Sequence, residues 1–166
     1  MLSFPFLLPH EVFAKMLAND DAAQASLRVL APEMATMRDK LCSDLGIDPA
    51  EFIPIGMHGD GVPHAKKKSL ECFSWNFVAE PTAERFLTTC VDKTFCCKCG
   101  CSGKHTTEAI LQVLCWSFRC MLMGKYPRGR HDGSPWRTSD EARKELKGSL
   151  GSRGGAPVFL YNVFLG

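Results

Sequence analysis

The hydrophobic period of the chain switches near Asp48-Pro49, and the switch divides it into a helical part and a mainly strand-forming part. Up to Gly46 the apolar residues recur at helical spacing. Val12, Phe13, Met16 and Leu17 form one stripe behind Pro9, and Asn19-Asp20-Asp21 offers a cap for a second helix through Leu30. A third helix begins near Pro32, carries Met34, Met37, Leu41 and Leu45, and stops at Gly46. These stripes read as core contacts and carry no evident chemistry.

After the switch, Phe52 to His58 is short, apolar and bounded by Pro and Gly, which favours a strand. It runs into Gly59-Asp60-Gly61-Val62-Pro63, whose composition predicts a turn. Ser69 to Val78 alternates, with Phe73, Trp75 and Phe77 on one face, and is the second strand. Arg85 to Val91 is the third. Thr106-Thr107-Glu108 predicts a capped helix start, and the apolar run through Leu122 predicts a helix buried against the sheet, ending at Gly124. Residues 125–156 are rich in Gly, Arg and Lys around a short polar helix, Ser139 to Leu150. Pro157 to Leu165 is a fourth strand. The expected class is α/β (α+β), with a helical subdomain over 1–48 and a core of order β-β-β-α-β over 49–166 that carries a basic insertion at about 125–156.

A chain of 166 residues with 45% apolar residues is long enough for one core. It has no apolar run of about 18 residues, so a membrane-spanning helix is not expected. The first nine residues are apolar without a basic n-region and read as a core-docking segment rather than a signal peptide. The 9 cysteines, an odd number, argue for reduced thiols and a nuclear or cytoplasmic location. The net charge of +2 hides an asymmetry: residues 1–63 sum to −5 and residues 64–166 to +7. Either the second part faces a polyanion or the surface is merely unevenly charged.

Three segments carry candidate chemistry. Asp60, flanked by glycines, suits a hard divalent cation such as Mg²⁺ on a phosphodiester substrate, with His58 on the same side of the strand as a supporting partner. The alternative is a turn residue that caps its own backbone. Cys96-x2-Cys99 has the spacing of a zinc turn, and Cys101 and His105 complete a tetrahedral set; the alternative is a connecting loop with reduced thiols. Cys115 and Cys120 on the apolar helix read as small core residues. Lys66, Lys67 and Lys68, with Lys125, Arg128, Arg130, Trp136 and Arg137, suit contacts to phosphates and stacking on bases, although basic loops also serve solubility.

Together, His58-Gly-Asp-Gly-Val-Pro63, Lys66-Lys-Lys-Ser-Leu70, Phe73-Ser-Trp75, Cys99-Gly-Cys-Ser-Gly-Lys-His-Thr-Thr107, Trp116 and Tyr126-Pro with His131-Asp-Gly-Ser-Pro-Trp136 resemble the highly repeated open reading frames of repeat-rich protist genomes. The Asp-Gly-Val segment is also similar to the Asp-Gly-(Val/Phe)-Asn-Pro segment of plant-type DNA transposases, although here Pro63 follows Val62 directly. This second resemblance implies a partial RNase H-like mixed sheet, with Asp60 as the first Mg²⁺-binding acid and a second acid just after the fourth strand. It makes the chain, which ends at Gly166, an N-terminal fragment without activity of its own, from a mobile-element protein that binds DNA and cleaves and joins strands. One carboxylate cannot hold the two ions of such chemistry. The other readings are a zinc-stabilised nucleic-acid-binding module without catalysis, and a translated relic. No membrane or small-molecule partner is expected.

Overall fold

The computed structural model describes residues 5–17, 25, 27–65, 68–79, 84–145, 148, 150 and 158–161. Its helices are α1 (Pro9–Leu17), α2 (Pro32–Leu45), α3 (Lys104–Met123) and the short α4 (Glu141–Glu145). The strands β1 (Ile53–Ala65), β2 (Lys68–Phe77), β3 (Phe86–Asp92) and β4 (Val158–Tyr161) form one mixed sheet of order β3-β2-β1-β4. β1, β2 and β3 are antiparallel neighbours, and β4 lies parallel to β1 with Ile53 opposite Val158. The expected second helix falls mostly outside the described residues, as do Pro157 and residues 162–165 of the expected fourth strand. No helix among the described residues is long and apolar enough to cross a membrane.

β2 forms as its alternation predicts, because from Phe73 to Phe77 every second residue is large and apolar. Phe73, Trp75 and Phe77 are buried on one face. Against them pack Ile53 and Ile55 of β1, Val91 of β3, Phe13 of α1, and Ile110, Leu114, Phe118 and Met121 of α3, so the first helix and the sheet share one core. Leu8 is buried, the Leu7 N–H donates to the Thr88 carbonyl, and the Thr89 hydroxyl donates to the Pro5 carbonyl, which docks the leading segment on β3.

Three expectations about local structure change. The Gly59–Pro63 cluster does not turn. β1 continues through it, because β2 supplies partners all along: Asp60 faces Cys72, Gly61 faces Glu71 and Pro63 faces Ser69, with an irregularity only between Pro63 and Ala65. Pro63 thus sits beside a bulge, where a missing N–H is tolerated. The α2 stripe is not a full core face: Met37 and Leu45 are exposed, and Met34, Met37 and Leu41 line a cavity of about 370 Å³ with Phe52 and Pro54. α2 does end at Gly46 as predicted, in a left-handed conformation with φ +67°. Finally, α3 is buried on one face only. Cys120 is buried, but Cys115 is exposed and not a core residue.

α1 crosses α3 at a buried histidine. The His10 backbone N–H donates to Ser117 Oγ at 3.1 Å, and its Nδ1 lies 2.8 Å from the same oxygen. Burial pulls the His10 pKa down to about 4, against a smaller opposing effect of Glu11. In the unfolded chain the imidazole titrates near 6.5, so between those values the unfolded state binds a proton that the folded state refuses. Stability should therefore be complete above pH 6.5 and decline as pH falls, with about 3 kcal/mol lost near pH 4. Urea midpoints measured at pH 7 and pH 4 check this, and a His10→Gln chain should lose that part of the pH dependence.

Candidate metal centre

The sharpest cluster of chemically capable side chains lies in the connection from β3 to α3. At the end of β3 the Asp92 carboxylate accepts the Thr94 N–H at 2.8 Å and starts a single 3-10 turn, Lys93–Phe95. The chain then doubles back tightly. Gly100, Ser102 and Gly103 all take positive φ, at +88°, +53° and +86°. At Gly103 the positive φ favours glycine, and a Cβ there would be strained by that backbone conformation while reaching contact distance, 3.4 Å, of Cys96 Cβ.

This path gathers Cys97, Cys99, Cys101 and His105, whose ligand atoms all lie within 4.8 Å of one another. Cys97 Sγ is 3.1 Å from Cys101 Sγ, and Cys99 Sγ is 3.2 Å from His105 Nδ1. Cys96, named by the two-residue spacing, is not in the group. Its half-buried side chain packs against the core, and burial pushes its thiol pKa up. Cys97 takes its place: it is in the cluster, while Cys96, the residue that closes the 3-10 turn, is held against the core. Thr106 has also changed role. α3 starts two residues before it, so instead of capping the helix its hydroxyl accepts the Cys97 N–H at 2.9 Å and ties the loop to the first turn of α3.

The donor set is able to hold a transition-metal ion. Around a tetrahedral ion with metal–sulfur bonds of about 2.3 Å the donors stand roughly 3.7 Å apart, so the separations in the cluster, from 3.1 Å to at most 4.8 Å, need adjusting by only about an ångström. Hydrogen bonds from Cys101 and then from Thr106 pull the Cys97 pKa down to about 6, which favours the thiolate that a metal requires. Cys99 moves the other way, chiefly through its hydrogen bond with Cys101. Cys97 and Cys101 are half-buried, whereas Cys99 and His105 are exposed, leaving an ion an open path of entry.

The Asp60 site is not assembled in the same way. Asp60 lies within β1, not at its end, and is exposed. Among the described residues the cysteine cluster is the one group of three or more potential ligands, so no set of carboxylates for Mg²⁺ forms around Asp60. His58 lies on the Asp60 side of β1, but its Nε2 pairs with Asn76 Oδ1 at 2.7 Å. A Cβ on Gly56 would come within 2.6 Å of that amide oxygen, so the glycine makes room for the pair.

The basic residues divide into two groups. Lys68, Lys125, Arg128 and Arg137 are exposed, while Lys66 and Lys67 lie outside the described residues. Arg130 is committed internally, paired with Asp140 at 3.0 Å, and Trp136 is half-buried with its ring 6.2 Å from that of Trp116 on α3. The loop they belong to is tightly built. The Arg130 N–H donates to the Ser134 carbonyl, and the Asp132 carboxylate accepts from both the backbone N–H and the hydroxyl of Ser134. Those bonds hold the Asp132 carboxyl below its usual pKa. Arg143 anchors the neighbouring α4 to α1 through Glu11 Oε1 at 2.5 Å. Comparison with protein-family models, with curated proteins and with solved structures returned no match to this chain.

Proposed function

We propose that this chain is a zinc-stabilised nucleic-acid-binding domain that works by binding rather than catalysis. The observation that carries the reading is the convergence of Cys97, Cys99, Cys101 and His105 on one point. A set of three cysteines and one histidine is the ligand chemistry of closed structural zinc sites. Exposed Lys98 and Lys104 flank the ligands, and the +7 of residues 64–166 supplies the positive field that a phosphate backbone attracts. Lys68, Lys125, Arg128 and Arg137 extend the same basic character along the chain.

Fluorescence anisotropy with a labelled DNA or RNA tests this directly. Affinity should fall steeply with salt, the slope of log K against log salt being about −0.9 per phosphate contacted on a duplex. Replacing both Lys98 and Lys104 by Glu should weaken binding to all sequences alike and make that slope shallower by about 2. Undetectable binding, or binding indifferent to salt, would remove the nucleic-acid half of the proposal.

One observation favours a second reading, in which the domain descends from a transposase-like protein with an RNase H-like core. It is supported by the strand order β3-β2-β1-β4, with β4 parallel beside β1 and Asp60 on β1, the arrangement which that ancestry implies. On this reading Asp60 is a metal-binding acid that acts with others. The chain as it stands should bind DNA without cutting it in Mg²⁺. Strand cleavage that vanishes on Asp60→Asn would place this reading first.

A further inference from the structure

A second pair of thiols lies on the sheet, away from the metal cluster. Cys72 of β2 and Cys90 of β3 stand directly opposite each other in the antiparallel register, and their sulfurs are 2.7 Å apart. Both are half-buried, on the face of β2 opposite Phe73 and Trp75. Asp60 occupies the next position in the same row, facing Cys72 from β1. Directly opposed residues of an antiparallel pair have Cα atoms about 4.5 or 5.5 Å apart, inside the window of about 4.4–6.8 Å that a disulfide spans. The backbone already holds the two cysteines where a bond between them needs no rearrangement of the strands.

We propose that Cys72 and Cys90 are an oxidisable dithiol, a modification site at which a small-molecule disulfide of the glutathione class drives formation of a cross-strand bond. One cysteine, as the thiolate, attacks a sulfur of the small disulfide, forming a mixed disulfide and releasing one small thiolate. The partner cysteine then attacks the protein sulfur of that mixed disulfide, closing the Cys72–Cys90 bond and releasing the second. The two protons of the protein thiols end on the two released molecules, and the pair of electrons lost by the protein reduces the small disulfide to two thiols. The second step is intramolecular and needs little motion, so the mixed disulfide is short-lived.

The other seven cysteines are placed differently. Cys42 and Cys120 are buried, Cys96 is half-buried against the core, Cys115 is exposed on α3, and Cys97, Cys99 and Cys101 share the metal cluster with His105. Closing the bond staples β3, an outer strand of the sheet, to β2 two residues before the chain leaves the sheet for the metal loop. The oxidation state of the pair therefore sets how firmly the base of that loop is held.

The test uses the full chain loaded with zinc and incubated with oxidised glutathione, then denatured with a chelator, alkylated and mapped by peptide mass. The expected result is Cys72 and Cys90 joined to each other, free of both alkyl label and glutathione, and released together by a dithiol reductant, whereas a thiol without a facing partner, such as exposed Cys115, can only carry glutathione or the alkyl label. In Cys72→Ser and Cys90→Ser chains the remaining partner should instead retain a glutathione adduct. Full alkylation of both residues, or a disulfide joining either to a different cysteine, would overturn the proposal. The outcome does not depend on the metal reading, because the same 72–90 linkage is expected when zinc is omitted.

Discussion

Zinc added to the metal-free chain should bind at about one equivalent and raise the midpoint of thermal unfolding by about 10 °C. The magnitude follows from mass action. At a free zinc concentration a thousand times the dissociation constant, a ligand that binds only the folded state stabilises it by about 4 kcal/mol, and each kcal/mol shifts the midpoint of a chain of this size by about 2–4 °C. Substitutions then identify the ligands. Cys97→Ser, Cys99→Ser, Cys101→Ser and His105→Ala should each abolish most of the shift, since each removes one of the four gathered donors. Cys96→Ser should keep it, because the Cys96 side chain packs on the core and stands outside the group. Calorimetric titration and thermal unfolding with and without chelator read both quantities. A Cys97→Ser chain that still binds zinc as the parent does would refute the assigned set.

The second large effect concerns the core. Trp75→Ala should destabilise the fold by about 3–5 kcal/mol, a large part of the stability of a domain of this size. Trp75 is fully buried, and its ring lies 5.1 Å from Phe77, 4.9 Å from Phe86 and 6.1 Å from Phe118, so truncation empties the junction between the sheet and α3. Leu87→Ala on β3, where the side chain is 52% exposed, should stay within about 0.5 kcal/mol of the parent. Denaturant unfolding of the two variants side by side makes the comparison. A Trp75→Ala chain as stable as Leu87→Ala would mean that the aromatic cluster is not the centre of the core.

Much of the architecture was legible in residue order. The alternation of β2 and the helical spacing of Val12, Phe13 and Met16 in α1 each place apolar side chains on one face, and that pattern holds wherever the element packs. Gly46 announced the end of α2 because a left-handed residue there favours glycine whatever surrounds it. The Gly59–Pro63 segment misled for the complementary reason. Gly, Asp and Pro favour turns in isolation, but ten cross-strand partnerships with β2 run from Ile55 to Ala65 and hold the segment extended. Propensity yields there to a ladder that local composition does not encode.

The candidate site divides in the same way. Residue types and the Cys96-x2-Cys99 spacing marked 96–105 as a candidate metal-binding stretch, since thiols and an imidazole so close together in a chain suit soft and borderline ions. Which cysteine joins the cluster depends on the path of the backbone: Cys96 packs on the core while Cys97 stands in the cluster, and three residues of positive φ return the chain so that His105 arrives beside Cys99. Cys72 and Cys90, 18 positions apart, were scattered thiols until strand register set them face to face. By itself, then, the sequence determined the order of the described helices and strands, the chemistry on offer and the charge asymmetry, all of which depend on residue type and local spacing. Tertiary structure alone decided which donors converge, which bases and aromatics are committed to internal partners, and which thiols meet, because those are properties of distance between segments that pack or pair only once the chain is folded.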